Sequence, residues 1–319
     1  MRYRPVLPLT GALVLATDLL ARRAVRRWAA TPDPRAGAVP PPPDVETVVE
    51  TTDGALLRVV EWGGRPGRTV VLLHGITATL EDWLPVVAHL LGAGHRVVAV
   101  DLRGHGGSTL GRDRVSTGRL ASDVADVLEA RDLQEVVLAG HSLGGYVALA
   151  LAVSHPEVVA RRVVRVVVLG STPSMRGPRE LTTLATNASP LTKALQMHPL
   201  HGAVFLRVNA FGDDPSLPAV EDLRARWSRC AMRTRVAFAT GVAGESVASA
   251  LGQVDVAVTV VRGTKDRVVP ASRSAWLCKR IPRAGLVVMP GAGHVVATER
   301  PREVAGVLAE PGGRGPRGR

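Results

Sequence analysis

The sequence predicts an α/β protein, a mostly parallel and doubly wound sheet interrupted late in the chain by a helical insertion. Three observations predict it. From residue 68 onward, short β-branched runs alternate with segments of helical periodicity, the order produced when crossover helices cover both faces of a parallel sheet. The runs, such as RTVVLL at 68–73, are apolar throughout, as strands buried on both faces must be. Residues 175–253 break the alternation and hold no strong strand, which marks them as the insertion.

Each element has its own warrant. VETVVETT at 45–52 and LLRVVEW at 56–62 flank Asp53-Gly54 and predict a hairpin. After the strand at 68–73, Thr79 and Asp82 form a capping-box pattern that opens a helix. RVVAV at 96–100 is the next strand, and Leu120, Val124, Val127 and Leu128 place a helix over 116–130. VVLA at 136–139, a helix from Gly144 and VVRVVVLG at 163–170 follow. Beyond the insertion come VAVTVVRG (256–263), a helix near 271–281, LVVMP (286–290) and a last helix near 298–309. The predicted core is thus 45–174 together with 254–310.

The ends differ in character. Residues 1–30 admit three readings. A membrane span wants about 20 apolar residues, and here Arg4 and Asp18 bracket only 13. A secretory signal begins well with Arg2 and Arg4, but Asp18 and the cluster Arg22, Arg23, Arg26, Arg27 follow without a clean cleavage site. The third reading is an amphipathic helix with Leu9, Leu13, Ala16 and Leu20 on one face. That face could dock on the protein or lie on an anionic membrane surface. Residues 31–44, TPDPRAGAVPPPPD, read as a semi-extended proline-rich linker, and 311–319 as a disordered tail.

Composition narrows the function. The 319 residues are 46 % hydrophobic and 21 % charged, with a net charge of +12. Of the 40 basic residues 37 are Arg, scattered along the chain, and aromatic residues are only 3 %. No platform of aromatic and basic residues is present, so nucleic acid is not an expected partner. Cys230 and Cys278 form neither metal spacing nor a disulfide framework. The expected location is cytoplasmic, with residues 1–30 as the point of any peripheral membrane contact.

One stretch raises a chemical question. VVLAGHSLGG at 136–145 places Ser142 directly after a predicted strand, among three glycines. Gly140 and Gly144 permit a sharp strand-to-helix turn that lifts the Ser142 hydroxyl from the sheet and aims the Leu143 amide outward at a helix N-terminus. A serine hydroxyl needs a base, and the base an orienting acid. In a parallel sheet these belong just past the C-terminal strand ends. There, GTKDRVVP supplies Asp266 and GAGHVV supplies His294. LLHGIT at 72–77 ends a strand at His74-Gly75 and offers the Ile76 amide as a second donor to an oxyanion.

LLHGIT, DLRGHGGS (101–108), GHSLGG, GTKDRVVP and GAGHVVATERP, in that order, resemble the α/β-hydrolase fold family in its branch with a helical cap. The resemblance spans about residues 45–309. It implies a nucleophile elbow at Ser142, a catalytic triad Ser142, Asp266, His294, and an oxyanion hole from the Ile76 and Leu143 amides. His74, Gly75, Gly140, His141 and Gly144 would shape the site. The loop GSTPS (170–174) carries no rival acid, and Asp101 falls in a structural turn of the family. Serine at the elbow excludes the epoxide hydrolases and haloalkane dehalogenases, which attack with aspartate. Histidines 198 and 201 lack a trustworthy metal spacing. The implied function is a serine hydrolase acting on carboxylic esters or related acyl bonds, without a cofactor. Perhydrolase or haloperoxidase-type chemistry, acyl transfer, and slow-turnover ligand binding are the alternatives.

Overall fold

A computed structural model describes residues 18–23, 25–64 and 67–310. Eight strands form: β1 (Val45–Glu50), β2 (Leu56–Trp62), β3 (Thr69–Leu73), β4 (Arg96–Val100), β5 (Val136–His141), β6 (Val163–Leu169), β7 (Ala257–Gly263) and β8 (Ala284–Met289). Their order across one sheet is β1-β2-β4-β3-β5-β6-β7-β8. The hairpin β1–β2 and the β2–β4 pair are antiparallel, and every other pairing is parallel. The direction of winding reverses between β3 and β5, which opens a crevice at their C-terminal ends. Leu73 pairs with Gly140, so residues 74–76 and 141–143 emerge side by side into that crevice.

Successive strand residues face opposite layers, as the two-residue period requires. Val71, Leu73, Val98, Leu138 and Val168 pack on one face with the helices Thr117–Ala130 and Leu143–Ser154. Val70, Leu72, Val97, Ala99 and Val137 pack on the other with Leu84–Gly92 and Pro301–Ala309. A buried Arg103 locks the edge of the first layer: its guanidinium donates to Asp53 (2.9 and 3.0 Å) and to Asp123 (2.6 Å).

Residues 175–253 contain five helices, Pro178–Asn187, Pro190–Met197, Pro199–Ala210, Leu217–Arg229 and Met232–Gly241. The first four carry proline in their opening turn, where a missing N–H costs nothing. Their own small core, with Ala203, Leu206, Phe211, Val220 and Leu223, closes onto Val295 of the body.

Several elements depart from the sequence reading. Thr79 makes no capping bond with its side chain, and residues Leu80–Trp83 form a 3₁₀ turn before the helix Leu84–Gly92. Asp82 is drawn away by a stronger partner: its carboxylate accepts from Arg226 Nε at 2.7 Å and Trp227 Nε1 at 2.8 Å. It ties the insertion to the body. An unanticipated helix, Pro156–Arg162, precedes β6, and the last helix is broken into Val296–Glu299 and Pro301–Ala309 because Pro301 has no N–H to continue the first segment.

The N-terminal helix meets the protein by a side that does not include Leu20. Within residues 18–28 the side that faces the protein is Asp18, Ala21, Val25 and Trp28, whereas Leu20 is 63 % exposed. The face containing Leu20 is therefore not the docked one; Leu9, Leu13 and Ala16 lie outside the described residues, as does the tail 311–319. Arg207 of the insertion stacks over the Trp28 ring at 5.8 Å. Residues 31–44 are also held, since Arg35 bonds Asp222 at 2.6 Å and the Pro41 carbonyl accepts from Trp62 Nε1 at 3.1 Å. No single helix among the described residues is long and apolar enough to cross a membrane.

Candidate active site

Ser142 stands between β5 and the helix Leu143–Ser154, as the helix N-cap, with φ +52° and ψ −113°. This backbone geometry is sparsely populated for a side-chain-bearing residue and costs about 1–3 kcal/mol. It persists because its neighbours hold it. The Ser142 amide donates to the Leu169 carbonyl at 2.8 Å, and the Ser171 hydroxyl donates to the Ser142 carbonyl at 2.8 Å. The turn is too tight for side chains on either flank. A Cβ at Gly140 would collide with the main chain of Gly144, and one at Gly144 with the carbonyl of Leu73.

His294 lies beyond β8 and Asp266 beyond β7. The His294 Nδ1–H donates to Asp266 Oδ2 at 3.1 Å, and both side chains are buried. The other carboxylate oxygen accepts from the Val268 and Val269 amides at 2.9 Å each. Burial pushes the Asp266 pKa up, but His294 and the two amides outweigh it and hold the carboxyl below its ordinary range. With the hydrogen of His294 committed to Nδ1, its Nε2 is the ring atom left to accept a proton. Ser142 and His294 share the wall of one cavity of about 260 Å³, roofed by helices of the insertion.

The two amides proposed for an oxyanion belong to residues that flank Ser142's two cavities: Ile76 lines both, and Leu143 the smaller. Leu143 is the first residue of its helix, so its N–H has no partner within that helix and lies at the positive end of the dipole. Gly75 packs against the ring of His141 and Cβ of Ser142.

The other buried histidines near the site are pins. His74 donates from Nδ1 to the Gly75 carbonyl at 2.7 Å and accepts from the Leu102 amide at Nε2, 2.9 Å. His105 likewise donates to the Arg103 carbonyl and accepts from the Thr77 amide. Burial pushes the pKa of His74 down to about 4, and those of His105 and His141 down to about 3. They are neutral struts. His198 accepts from the His201 amide at 3.2 Å and so caps a helix. Among the described residues no group of three or more His, Cys, Asp or Glu could hold a metal. Asp101 accepts from the Leu80 and Gly107 amides and from Arg58, fixing two loops.

Two residues, Gly170 of GSTPS and Glu299 of GAGHVVATERP, have structural roles at the site that the sequence reading did not assign. Gly170, at φ +53°, runs so close to the acid–base pair that a Cβ would sit 3.2 Å from both Asp266 Oδ2 and His294 Nδ1. Glu299, buried behind the histidine loop, accepts from the Gly293 and Gly212 amides at 2.7 Å each. It joins that loop to the insertion, and the His294 amide adds a bond to the Ala210 carbonyl at 2.7 Å.

Known proteins resemble this chain in sequence and in fold. Residues 70–307 match the model of the alpha/beta hydrolase family. A non-heme chloroperoxidase of Streptomyces lividans is 31 % identical over 242 residues, 71 % of this chain and 84 % of that protein. A bifunctional esterase/perhydrolase of Acinetobacter calcoaceticus is 28 % identical over 263 residues, 78 % of this chain and 93 % of that protein. Among solved structures, an esterase from Exiguobacterium antarcticum superposes with a TM-score of 0.73 at 22 % identity, covering 83 % of this chain and 98 % of that one. The matched sequence and the parallel sheet with its reversal at β3 and β5 agree: the chain belongs to the alpha/beta hydrolase family.

Proposed function

We propose that this hydrolase cleaves carboxylic esters, or closely related acyl bonds, through a Ser142-His294-Asp266 triad and an acyl-enzyme. The observation that carries the reading is the Asp266–His294 hydrogen bond at the wall of the cavity into which the strained Ser142 turn opens. His294 Nε2 takes the Ser142 proton as the oxygen bonds to the carbonyl carbon. The resulting oxyanion is met by the Ile76 and Leu143 amides. Collapse breaks the bond to the alcohol, which leaves with the proton from His294. Water, activated by the same nitrogen, then releases the acid and frees Ser142. Asp266 keeps the ring in its Nδ1–H tautomer and stabilises the imidazolium.

A fluorophosphonate reacts only with an activated serine, so mass spectrometry of the labelled protein tests the reading. The adduct belongs on the peptide carrying Ser142, and its formation should stop in His294→Ala. An adduct elsewhere, or none, rejects the triad. Perhydrolysis, named for a relative, would employ the same acyl-enzyme with hydrogen peroxide in place of water.

We also propose a peripheral contact of the N-terminal helix with an anionic membrane surface. The support is its outer side: Leu19 and Leu20 are exposed beside Arg22, Arg23, Arg26 and Arg27, an apolar and basic combination suited to lipid headgroups.

A further inference from the structure

Ser142 borders two cavities, and one of them contains the group able to protonate a leaving alcohol. The larger, about 260 Å³, is lined by Ser142, His294 and helices of the insertion. The smaller, about 50 Å³, is bordered by Ser142, Ile76 and Leu143 and walled by Met175, Leu184 and Val269, with Glu180, which accepts from Arg273 Nε at 2.9 Å, at its polar side. His294 lines the first and not the second.

Resting on the acyl-enzyme reading above, we propose that the smaller pocket takes the acyl chain and the larger cavity the alcohol, so that the preferred substrates are short-chain esters of a bulky anionic alcohol. The alcohol oxygen must receive its proton from His294 as its bond to the acyl carbon breaks, so it leaves on the His294 side. The carbonyl oxygen must reach the Leu143 amide, and Leu143 borders the smaller pocket. The chain attached to that carbonyl therefore enters the smaller pocket. At about 10–15 Å³ for each water-sized occupant, 50 Å³ holds roughly four chain atoms. A short acyl group such as butyryl therefore fills this pocket, and an octanoyl chain extends beyond it.

The alcohol side is set by charge. Arg179 and Arg267 line the larger cavity, and no carboxylate other than the substrate's own would face them there. Among the described residues neither guanidinium has a carboxylate partner within ion-pair distance; Arg267 Nη1 donates to the Val208 carbonyl at 2.7 Å. Thr186 and Thr192 add hydroxyls to the same wall. Arginine forks suit phosphate or carboxylate oxygens, and either anion on the alcohol would satisfy this wall.

Acid release followed by pH-stat separates the possibilities. The substrates are the butyryl esters of glycerol, glycerol 3-phosphate and glycerate, and the octanoyl ester of glycerol 3-phosphate. We expect at least a tenfold higher kcat/KM for one or both anionic butyryl esters than for butyrylglycerol, and the phosphate and carboxylate arms identify which anion. The octanoyl ester should be at least tenfold slower than its butyryl counterpart. Arg179→Gln should bring the anionic-to-neutral ratio close to one, and Leu184→Ala or Met175→Ala should raise the octanoyl-to-butyryl ratio severalfold. Equal rates for neutral and anionic butyryl esters would overturn the alcohol assignment, and an octanoyl ester as fast as the butyryl one would overturn the acyl assignment. Absence of turnover on these esters and on p-nitrophenyl butyrate alike would reject the hydrolytic reading itself, and this inference with it.

Discussion

The side chain of His141 holds the main chain of His294. Its Nε2–H donates to the His294 carbonyl oxygen over 2.9 Å, and the two rings lie 4.8 Å apart. A carbonyl only accepts, so the hydrogen of His141 is fixed on Nε2. Burial, together with the neighbouring His294, pushes its pKa down to about 3. The proposed base is thus positioned by a neighbour that stays uncharged at neutral pH.

That relationship yields a kinetic prediction. His141→Ala should lower kcat by about one to two powers of ten, because a loosened base misses its attack geometry. The pH dependence of kcat/KM should match wild type in this variant, and in His74→Gln and His105→Gln. Only His294→Ala should change it. A pH profile lost with His141 and retained without His294 would reverse the two roles.

The carboxylates divide in the same way. Asp266→Asn should cost about 10³–10⁴ in kcat, since an amide favours the wrong imidazole tautomer, with little change in Tm. Asp101→Asn should do the opposite, lowering Tm by weakening its bonds to the Leu80 and Gly107 amides. Paired activity and melting measurements on both variants decide between them.

Glu299 offers a stability test. Its removal in Glu299→Ala leaves the Gly212 and Gly293 amides without their acceptor, at a cost of about 1–3 kcal/mol each if buried and unpaired. Urea midpoints should fall, and Glu299→Gln, which keeps one acceptor oxygen, should recover part of the loss. Equal midpoints for wild type and Glu299→Ala would show that the histidine loop does not depend on this bond.

Acid should weaken the fold early. In the native state the pKa values of His74, His105 and His141 are depressed to about 4, 3 and 3, below the free value of about 6.5. The unfolded chain therefore binds protons that the native state refuses as pH drops below about 6.5, and stability falls until roughly pH 3–4. It is fully present above pH 6.5. Denaturation midpoints between pH 7.5 and 4.5 should trace the decline, and His105→Gln should make it shallower.

For the N-terminal helix, replacing Leu19 and Leu20 by Ser should abolish binding to vesicles containing anionic lipid while soluble-ester kcat/KM stays within about twofold. Unchanged vesicle binding would remove the membrane contact from the account.

What the sequence made legible follows from the range of the interactions. The apolar β-branched runs at 68–73, 96–100 and 136–139 needed no partner to be read as strands, because burial on both faces writes itself into consecutive residues. Ser142, Asp266 and His294 were visible because each stands just past such a run. Gly170 and Glu299 were not, since their importance comes from residues 96 and 87 positions away, at Asp266 and Gly212. The Thr79–Asp82 pattern misled for a related reason. A local cap worth about 1 kcal/mol lost Asp82 to Arg226 and Trp227, which the insertion brings back over a span no short motif records. What covers the face containing Leu20 was not legible, because helical periodicity identifies a face without saying what lies against it; Leu20 is exposed, and the contact with the insertion is Arg207 over Trp28.

The central claim is that Ser142 is the nucleophile, and hydrolysis of p-nitrophenyl butyrate by wild type and Ser142→Ala, with Tm recorded for both, tests it most directly. The account predicts that the variant retains less than about one per cent of kcat/KM while its Tm stays equal or rises, because relief of a strained turn offsets the small loss of contacts. A folded Ser142→Ala protein that still turns over the ester at a rate near wild type would contradict it.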